Sequence, residues 1–139
     1  MKFILKTDAQ DEIIDITDQV QKAVLSSKIK DGIAVIFAPG TTCGLTIIET
    51  EEGMMKDLRV ALEKIAPKDG DYEHNRTQGD GNGYSHVRGA FFAGSLSIPV
   101  ENSELVLGTW QRIVFLEFDN KPRERNIIIK LLAARSLST

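Results

Sequence analysis

The sequence predicts an α+β fold in which one domain over residues 1–139 forms a mixed or antiparallel β-sheet sandwich with two helices. Its 139 residues, 42% of them hydrophobic and 27% charged, match one globular domain. Both helical patterns lie in the first half of the chain, and strand-like segments fill the rest. This segregation favours α+β over a doubly wound sheet, in which helices and strands alternate.

The first helix is predicted over about 18–28. Val20, Ala23 and Val24 recur there at helical spacing, and Thr17 is the predicted N-cap because its hydroxyl suits that position. Two short strands precede this helix, at 2–6 and 12–16.

A continuous apolar run over 33–38 predicts a strand buried on both faces. Strand character resumes over 45–49. The second helix is predicted over about 52–65, where apolar residues repeat on one face, and Pro67 ends it.

Residues 68–89 are predicted to form a long loop, because they are polar and glycine-rich and have no apolar period. A connection of this length in a compact domain is usually functional or disordered. The segments predicted after it are strands at 96–100, 105–107, 110–118 and 126–132, and a frayed tail at 135–139.

Charge and composition exclude several classes of partner. The net charge of −3 argues against nucleic acid, which calls for a basic stripe. The one basic cluster, Lys121 to Arg125, is interrupted by Glu124 and is interpreted as solvated surface. A single cysteine, no signal-peptide pattern and no apolar run of about 20 residues predict a cytoplasmic protein without a membrane partner.

The two histidines of the chain, His74 and His86, both lie in the predicted loop. Gly79, Gly81 and Gly83 alternate between them, and glycine amides can approach an anion closely. The segment is therefore a candidate wall for a metal ion or a phosphate. Paired loop histidines are also common on inert surfaces, and the eleven residues between these two match no recognised metal spacing, so both interpretations stay open.

Other candidates each have a plain structural alternative. Thr41 and Thr42 could cradle a phosphate or form an ordinary turn. Glu49 ends an apolar strand and is either a site residue or solvent-facing. Trp110 is expected to anchor a core or an interface. Cys43 is expected to be a small buried hydrophobe.

Taken together, several segments resemble the YjbQ-type family, whose name-giving activity is a secondary thiamine-phosphate synthase. The segments are Thr41 to Glu49, Tyr72 to Asn75, Asp80 to Gly83 with Ser85-His86, Ser97 to Val100, Leu107 to Gln111, and Glu117 to Asp119 followed by Pro122-Arg123. The resemblance implies an α+β homotrimer with a pocket between subunits, lined by the histidines and the threonine loop.

The resemblance also implies an activity: a weak or promiscuous transferase that joins a pyrimidine-methyl pyrophosphate to a thiazole phosphate. The residues expected to serve catalysis are His86, His74, Glu49 and Arg88; those expected to bind the phosphorylated substrate are Thr41, Thr42, Asn82 and Trp110. His74 and His86 are also the expected ligands of a divalent metal ion, zinc or magnesium.

Two positions depart from the family pattern. Gly40 stands where the family usually has histidine, and Ile48 stands where it usually has asparagine. The departures bear on activity more than on fold. The alternative is a non-catalytic trimer that binds a small ligand or a metal, and turnover would distinguish the two.

Overall fold

Two antiparallel sheets and four helices make up the part of the chain that the computed structural model describes, residues 1–9 and 11–136. The strands are β1 (Lys2–Thr7), β2 (Ile13–Asp15), β3 (Asp31–Phe37), β4 (Cys43–Ile48), β5 (Ser95–Glu101), β6 (Glu104–Leu105), β7 (Arg112–Glu117) and β8 (Arg123–Ala133). The helices are α1 (Thr17–Ser27), α2 (Glu52–Ile65), α3 (Glu73–Gln78) and α4 (Gly83–Ala90). Residues 137–139 of the predicted tail lie outside the described residues.

The larger sheet has the strand order β1-β8-β3-β5-β6, and the smaller sheet has the order β2-β7-β4. Every strand pair among the described residues is antiparallel. The predicted α+β class with antiparallel pairing is therefore confirmed. The prediction of two helices is wrong, because the described residues contain four.

The chain stacks in layers because strand side chains alternate between faces. On β7, Ile113 and Phe115 face the main core, which α1 and the inner face of the larger sheet also line. Val114 and Leu116 point the other way and pack with Leu62 of α2 in a second cluster. The smaller sheet is thus covered on both faces, as its nearly continuous apolar sequence requires.

The starts of α1 and α2 differ in how they are held. Thr17 is the first helical residue rather than the N-cap, and its hydroxyl instead accepts a hydrogen bond of 2.8 Å from the Ile113 amide on β7. At α2 the carboxylate of Glu51 accepts from the amides of Gly53 and Met54 at 2.7 and 2.8 Å. A negative charge at this end of a helix is favourable because unpaired amides and the helix dipole meet there.

The predicted loop over 68–89 is corrected by the structure, which places α3 and α4 within it. α3 is only six residues long and buries none of them, and α4 buries mainly glycine and polar or amphipathic side chains. Neither helix has the apolar stripe that identifies a helix in a sequence. Gly79 ends α3 in a left-handed conformation with φ of +70°.

The outer face of the larger sheet carries a row of apolar side chains, which we call the outer apolar face. Ile33 pairs with Leu132 and Phe37 with Ile128 across β3 and β8. Ile33, Phe37 and Leu132 are 47%, 44% and 56% exposed in the single chain.

Candidate functional site

The two histidines come together because α3 and α4 fold back on one another. The carboxamide oxygen of Asn75 in α3 accepts a hydrogen bond of 2.8 Å from the Gly83 amide at the start of α4. A Cβ at Gly83 would stand 2.5 Å from Cβ of Tyr72, so only glycine permits this approach. The rings of His74 and His86 lie 4.0 Å apart between centroids, with their planes tilted by 35°.

Burial, and then the neighbouring His74, lower the pKa of His86 below its ordinary value. Asp80 and Asp119 oppose this change without reversing it. His86 is therefore neutral at physiological pH, and a neutral imidazole can accept as well as donate a hydrogen bond.

The histidine pair forms one wall of an open polar basin of about 450 Å³. The basin brings together the start of β4, the α3–α4 connection and the start of β8. Its lining residues are Gly40, Thr41, Thr42, His74, Gln78, Asp80, Asn82, His86, Arg123 and Arg125. The predicted residues His74, His86, Thr41, Thr42 and Asn82 thus lie at one site.

A buried ion pair between the two sheets supports the floor of this basin. Arg125 on β8 binds both carboxylate oxygens of Glu117 on β7, at 2.6 and 2.8 Å. The same guanidinium donates to Thr42 Oγ1 at 2.8 Å, and Thr7 donates to Glu117 at 2.8 Å. Glu117 is fully buried and Arg125 is 8% exposed, so this bidentate pair fixes the guanidinium beside the threonine loop.

Asp119 forms the second part of the floor. It accepts hydrogen bonds from Asn82 Nδ2 at 3.2 Å and from Arg123 Nε at 2.7 Å. Burial alone would raise the pKa of the Asp119 carboxyl, but these two donors outweigh it and hold the pKa below its ordinary value. Asp119 is therefore ionised and holds Asn82 and Arg123 in place.

Two buried polar atoms at the site lack a hydrogen-bond partner among the described residues: Asn82 Oδ1 and His74 Nδ1. The nearest carboxylate oxygen to His74 Nδ1, Oδ1 of Asp80, is 3.6 Å away, which is beyond hydrogen-bond range. Unpaired buried polar atoms are rare in folded proteins, and here both belong to residues lining the basin.

An apolar groove of about 440 Å³ lies beside the basin and shares the histidine pair as a wall. Tyr72, Val87 and Phe91 contribute its apolar surface. Phe91 is 65% exposed, which makes it the most exposed side chain of this groove among the large hydrophobic residues. The histidines therefore separate a charged compartment from an apolar one.

Arg88 does not reach the basin. It is 2% exposed and donates to the Ala66 carbonyl at 2.9 Å and to Glu63 at 2.7 Å. The structure thus places this predicted catalytic residue in a contact that joins α4 to the end of α2.

Glu49 and Trp110 lie together at the other end of β4, where they line a separate pocket with Arg112. The six residues of β4 separate them from Thr42, a distance of roughly 20 Å along the strand. Trp110 is 71% exposed, so within one chain it anchors no core, contrary to one of its two expected roles.

Glu117, Asp119 and Arg123 lie in segments that carry the family resemblance, but sequence reasoning gave no role at the site to them or to Arg125. The interpretation of 121–125 as solvated surface is wrong for Arg125, which is buried. Strand alternation carries the signal: Arg125 shares its face with the buried Ile127 and Ile129, and Glu117 shares its face with Ile113 and Phe115. Burial raises the pKa of the Cys43 thiol, in agreement with its prediction as a small buried residue.

The metal prediction stays a prediction. Over residues 1–9 and 11–136, no three His, Cys, Asp or Glu side chains stand close enough together to hold a metal ion. Two imidazoles and one carboxylate at 3.6 Å from His74 are the available donors, so we derive no step through a metal. No helix in the described part of the chain is long and apolar enough to cross a membrane.

Comparison with known proteins gives one consistent result. The family model described as UPF0047 protein YjbQ-like matches residues 1–134. A UPF0047 protein of Archaeoglobus fulgidus is 44% identical over 132 residues, covering 95% of this chain and all of the relative. The UPF0047 protein YugU of Bacillus subtilis is 36% identical over 129 residues, covering 92% and 95%.

Solved structures agree. An uncharacterised YjbQ/UPF0047 protein of Clostridium acetobutylicum superposes with a TM-score of 0.86 at 42% identity, covering 95% of this chain and 99% of that one. A protein of unknown function from Sulfolobus solfataricus gives a TM-score of 0.90 at 33% identity, covering 96% of each chain.

Proposed function

The chain belongs to the YjbQ-like UPF0047 family, and from that membership we propose that it is a transferase for phosphorylated heteroaromatic compounds. The proposed reaction is the one the family resemblance implies: a pyrimidine-methyl pyrophosphate and a thiazole phosphate combine to give thiamine phosphate and pyrophosphate. The site lies around His74 and His86.

One observation carries this proposal: two guanidinium groups line the basin beside the histidine pair. Arg125 uses Nε and Nη2 to bind Glu117 and Thr42. Its third nitrogen, Nη1, points at Gly40, where a Cβ would stand 3.0 Å from it. A guanidinium fixed in this way suits an anion such as pyrophosphate, because little of its freedom remains to be lost on binding.

The proposed reaction needs orientation and charge stabilisation more than acid–base chemistry. The thiazole nitrogen forms a C–N bond to the methylene carbon as the C–O bond breaks, and the electron pair leaves with pyrophosphate. Arg123 and Arg125 would stabilise the charge of the leaving group, and Thr41 and Thr42 would orient a phosphate. Neutral His86 would donate a hydrogen bond to a pyrophosphate oxygen. No residue is required as a covalent nucleophile.

Assembly and metal are further parts of the proposal. We propose a homotrimer in which the outer apolar face contacts other copies of the chain, since exposed apolar patches of this kind are typical of interfaces. Zinc or magnesium is the proposed divalent cofactor. His74 and His86 are the residues that would contact it.

A non-catalytic binding protein is the second candidate, and one observation favours it. Gly40, at the position of the family's usual histidine, has φ of +146° and is packed against Cys43 and Arg125. Because this backbone conformation would strain any side chain, the site has no imidazole at this position.

The experiment measures both binding and product. We expect pyrophosphate to bind by calorimetry, and thiamine phosphate to appear by mass spectrometry when both substrates and Mg²⁺ are supplied. Arg123→Met should weaken pyrophosphate binding about ten-fold, because it removes a charge-assisted contact. The matched control is Arg59→Met on the exposed side of α2, which should have no effect. Binding without product would support the non-catalytic candidate, and equal binding by both variants would contradict the proposed site.

A further inference from the structure

The orientation of the Asn82 carboxamide is fixed by its neighbour. Asn82 is 3% exposed, and its Nδ2 donates to the ionised Asp119 at 3.2 Å. A carboxylate accepts hydrogen bonds only, so the amide group, not the oxygen, faces Asp119. This leaves Oδ1 buried, without a donor among the described residues, in a side chain that lines the basin. A buried acceptor of this kind is costly unless a donor arrives from outside the chain.

His74 provides a second acceptor in the same basin. Its Nδ1 is buried and unpartnered within the described residues, and Asp80 lies 3.6 Å from it. With the proton on Nε2, Nδ1 carries a lone pair. The lining of the basin therefore includes three acceptors, Asn82 Oδ1, His74 Nδ1 and the Asp80 carboxylate, which we together call the acceptor corner.

Donors line the same basin, and one of them, Arg123, binds the carboxylate of Asp119 as Asn82 does. Arg123 and Arg125 line the basin, and Arg125 Nη1 is directed at Gly40. The two guanidinium groups favour an anion, so a ligand with an anionic end and an N–H donor would satisfy both the arginines and the acceptors of the basin.

We propose that the basin binds an amino-substituted heteroaromatic phosphate or pyrophosphate, with the anion on the arginines and the amino group in the acceptor corner. This assignment rests on the proposed function and deepens it. Of the two reactants, the aminopyrimidine pyrophosphate carries an amino group and the thiazole phosphate does not. The aminopyrimidine therefore occupies the basin, and the thiazole ring occupies the apolar groove on the other side of the histidine pair.

Calorimetry with matched ligands tests the assignment without requiring turnover. The probes are 4-amino-5-hydroxymethyl-2-methylpyrimidine phosphate and its analogue with hydrogen in place of the amino group. We expect the wild-type protein to bind the amino compound about ten-fold more tightly, because the analogue leaves the buried acceptors unpaired. Equal affinities would overturn the assignment.

Variants locate the effect. Asn82→Ala should bind the two compounds equally, and Gln19→Ala, which removes an exposed amide from α1 outside the basin, should keep the preference. His74→Phe keeps a ring beside His86 but lacks Nδ1, so it should reduce the preference for the amino compound. This variant serves as the test if Asn82→Ala does not fold. A preference that survives in the variants that fold would overturn the assignment of the acceptor corner.

Two controls separate the alternatives. Zinc chloride alone should bind Asn82→Ala with the same affinity as it binds the wild type. If the substitution weakened zinc binding as much as it weakened binding of the amino compound, the acceptor corner would be a metal site and the proposal would be refuted. A preference for the amino compound without thiamine phosphate formation would refute only the proposed reaction. Product formation without the preference would refute only this assignment.

Discussion

Gly40 occupies a position that admits no side chain. Its φ of +146° lies in the region that favours glycine, and a Cβ there would stand 2.8 Å from Cys43 Sγ and 3.0 Å from Arg125 Nη1. Cys43 and Arg125 are both buried, so neither can move away easily. The glycine thus leaves the space beside Arg125 Nη1 free of a side chain from this position.

We therefore expect Gly40→His to destabilise the protein without tightening Zn²⁺ binding. The strain and the contact should together cost about 1 kcal/mol or more, a fall of a few degrees in Tm for a domain of this size. Gly94→Ala is the matched control, because a Cβ there would meet only Phe37 at 3.9 Å, and its Tm should change little. An unchanged Tm with tighter Zn²⁺ binding would show instead that the position tolerates a ligand.

At the scale of elements, the α3–α4 pair holds two imidazoles face to face in a partly buried setting. Protonating both would place like charges about 4.0 Å apart between centroids. The groups facing His86 are His74, Asp80 and Asp119, and the net effect of burial and these neighbours is a lowered pKa. Acid should therefore loosen this helix pair before it affects the sheets.

The pH dependence has a definite sign. Because the pKa of His86 is lower in the folded than in the unfolded protein, the unfolded state binds more protons as the pH falls through the ordinary value of 6.5. Stability should be greatest above pH 6.5 and should fall below it until the folded-state pKa is passed. Thermal unfolding between pH 8 and pH 5 measures this, with His86→Gln expected to flatten the profile. An equally steep profile in that variant would assign the effect to other groups.

The elements predicted from sequence were those with a long, one-sided apolar pattern. The bounds of α2 are as predicted, because its apolar face spans the helix and Pro67 follows it. α3 and α4 were missed because contacts distant in sequence hold them, such as Arg88 with Ala66. For the site, clustering identified His74 and His86, whereas its floor forms only when β7 and β8 bring Glu117 and Arg125 together.

At the scale of the molecule, the outer apolar face is a side of the larger sheet that residues 1–9 and 11–136 leave without a covering layer. Its central residues come from β3 and β8, two adjacent inner strands of the sheet. Covering this face would remove its apolar side chains from water. This burial stabilises an assembly by about 25 cal/mol for each Å² of apolar surface. The proposed trimer would provide such a cover.

We expect Phe37→Glu to yield monomers, because a charge buried at an interface without a partner is costly. Light scattering at micromolar concentration should give three times the 15.4 kDa chain mass for the wild type and a single mass for the variant. Val60→Glu is the control: Val60 is 55% exposed on α2, away from this face, and the trimer should persist. A wild-type protein that is monomeric would refute the proposed assembly, and a trimeric Phe37→Glu would move the interface elsewhere.

The strand order has a consequence for how the chain acquires its structure. β8 lies between β1 and β3 in the larger sheet, and β7 lies between β2 and β4 in the smaller one. Both inner strands come from the last third of the chain, so β1 pairs with residues more than one hundred positions away, as in Lys2 with Ile128. During synthesis β1, β2 and β4 therefore stay without their strand partners until residues 112–133 have left the ribosome. Pairings of such long range fold slowly, which leaves the early strand edges open to association with other chains in the meantime.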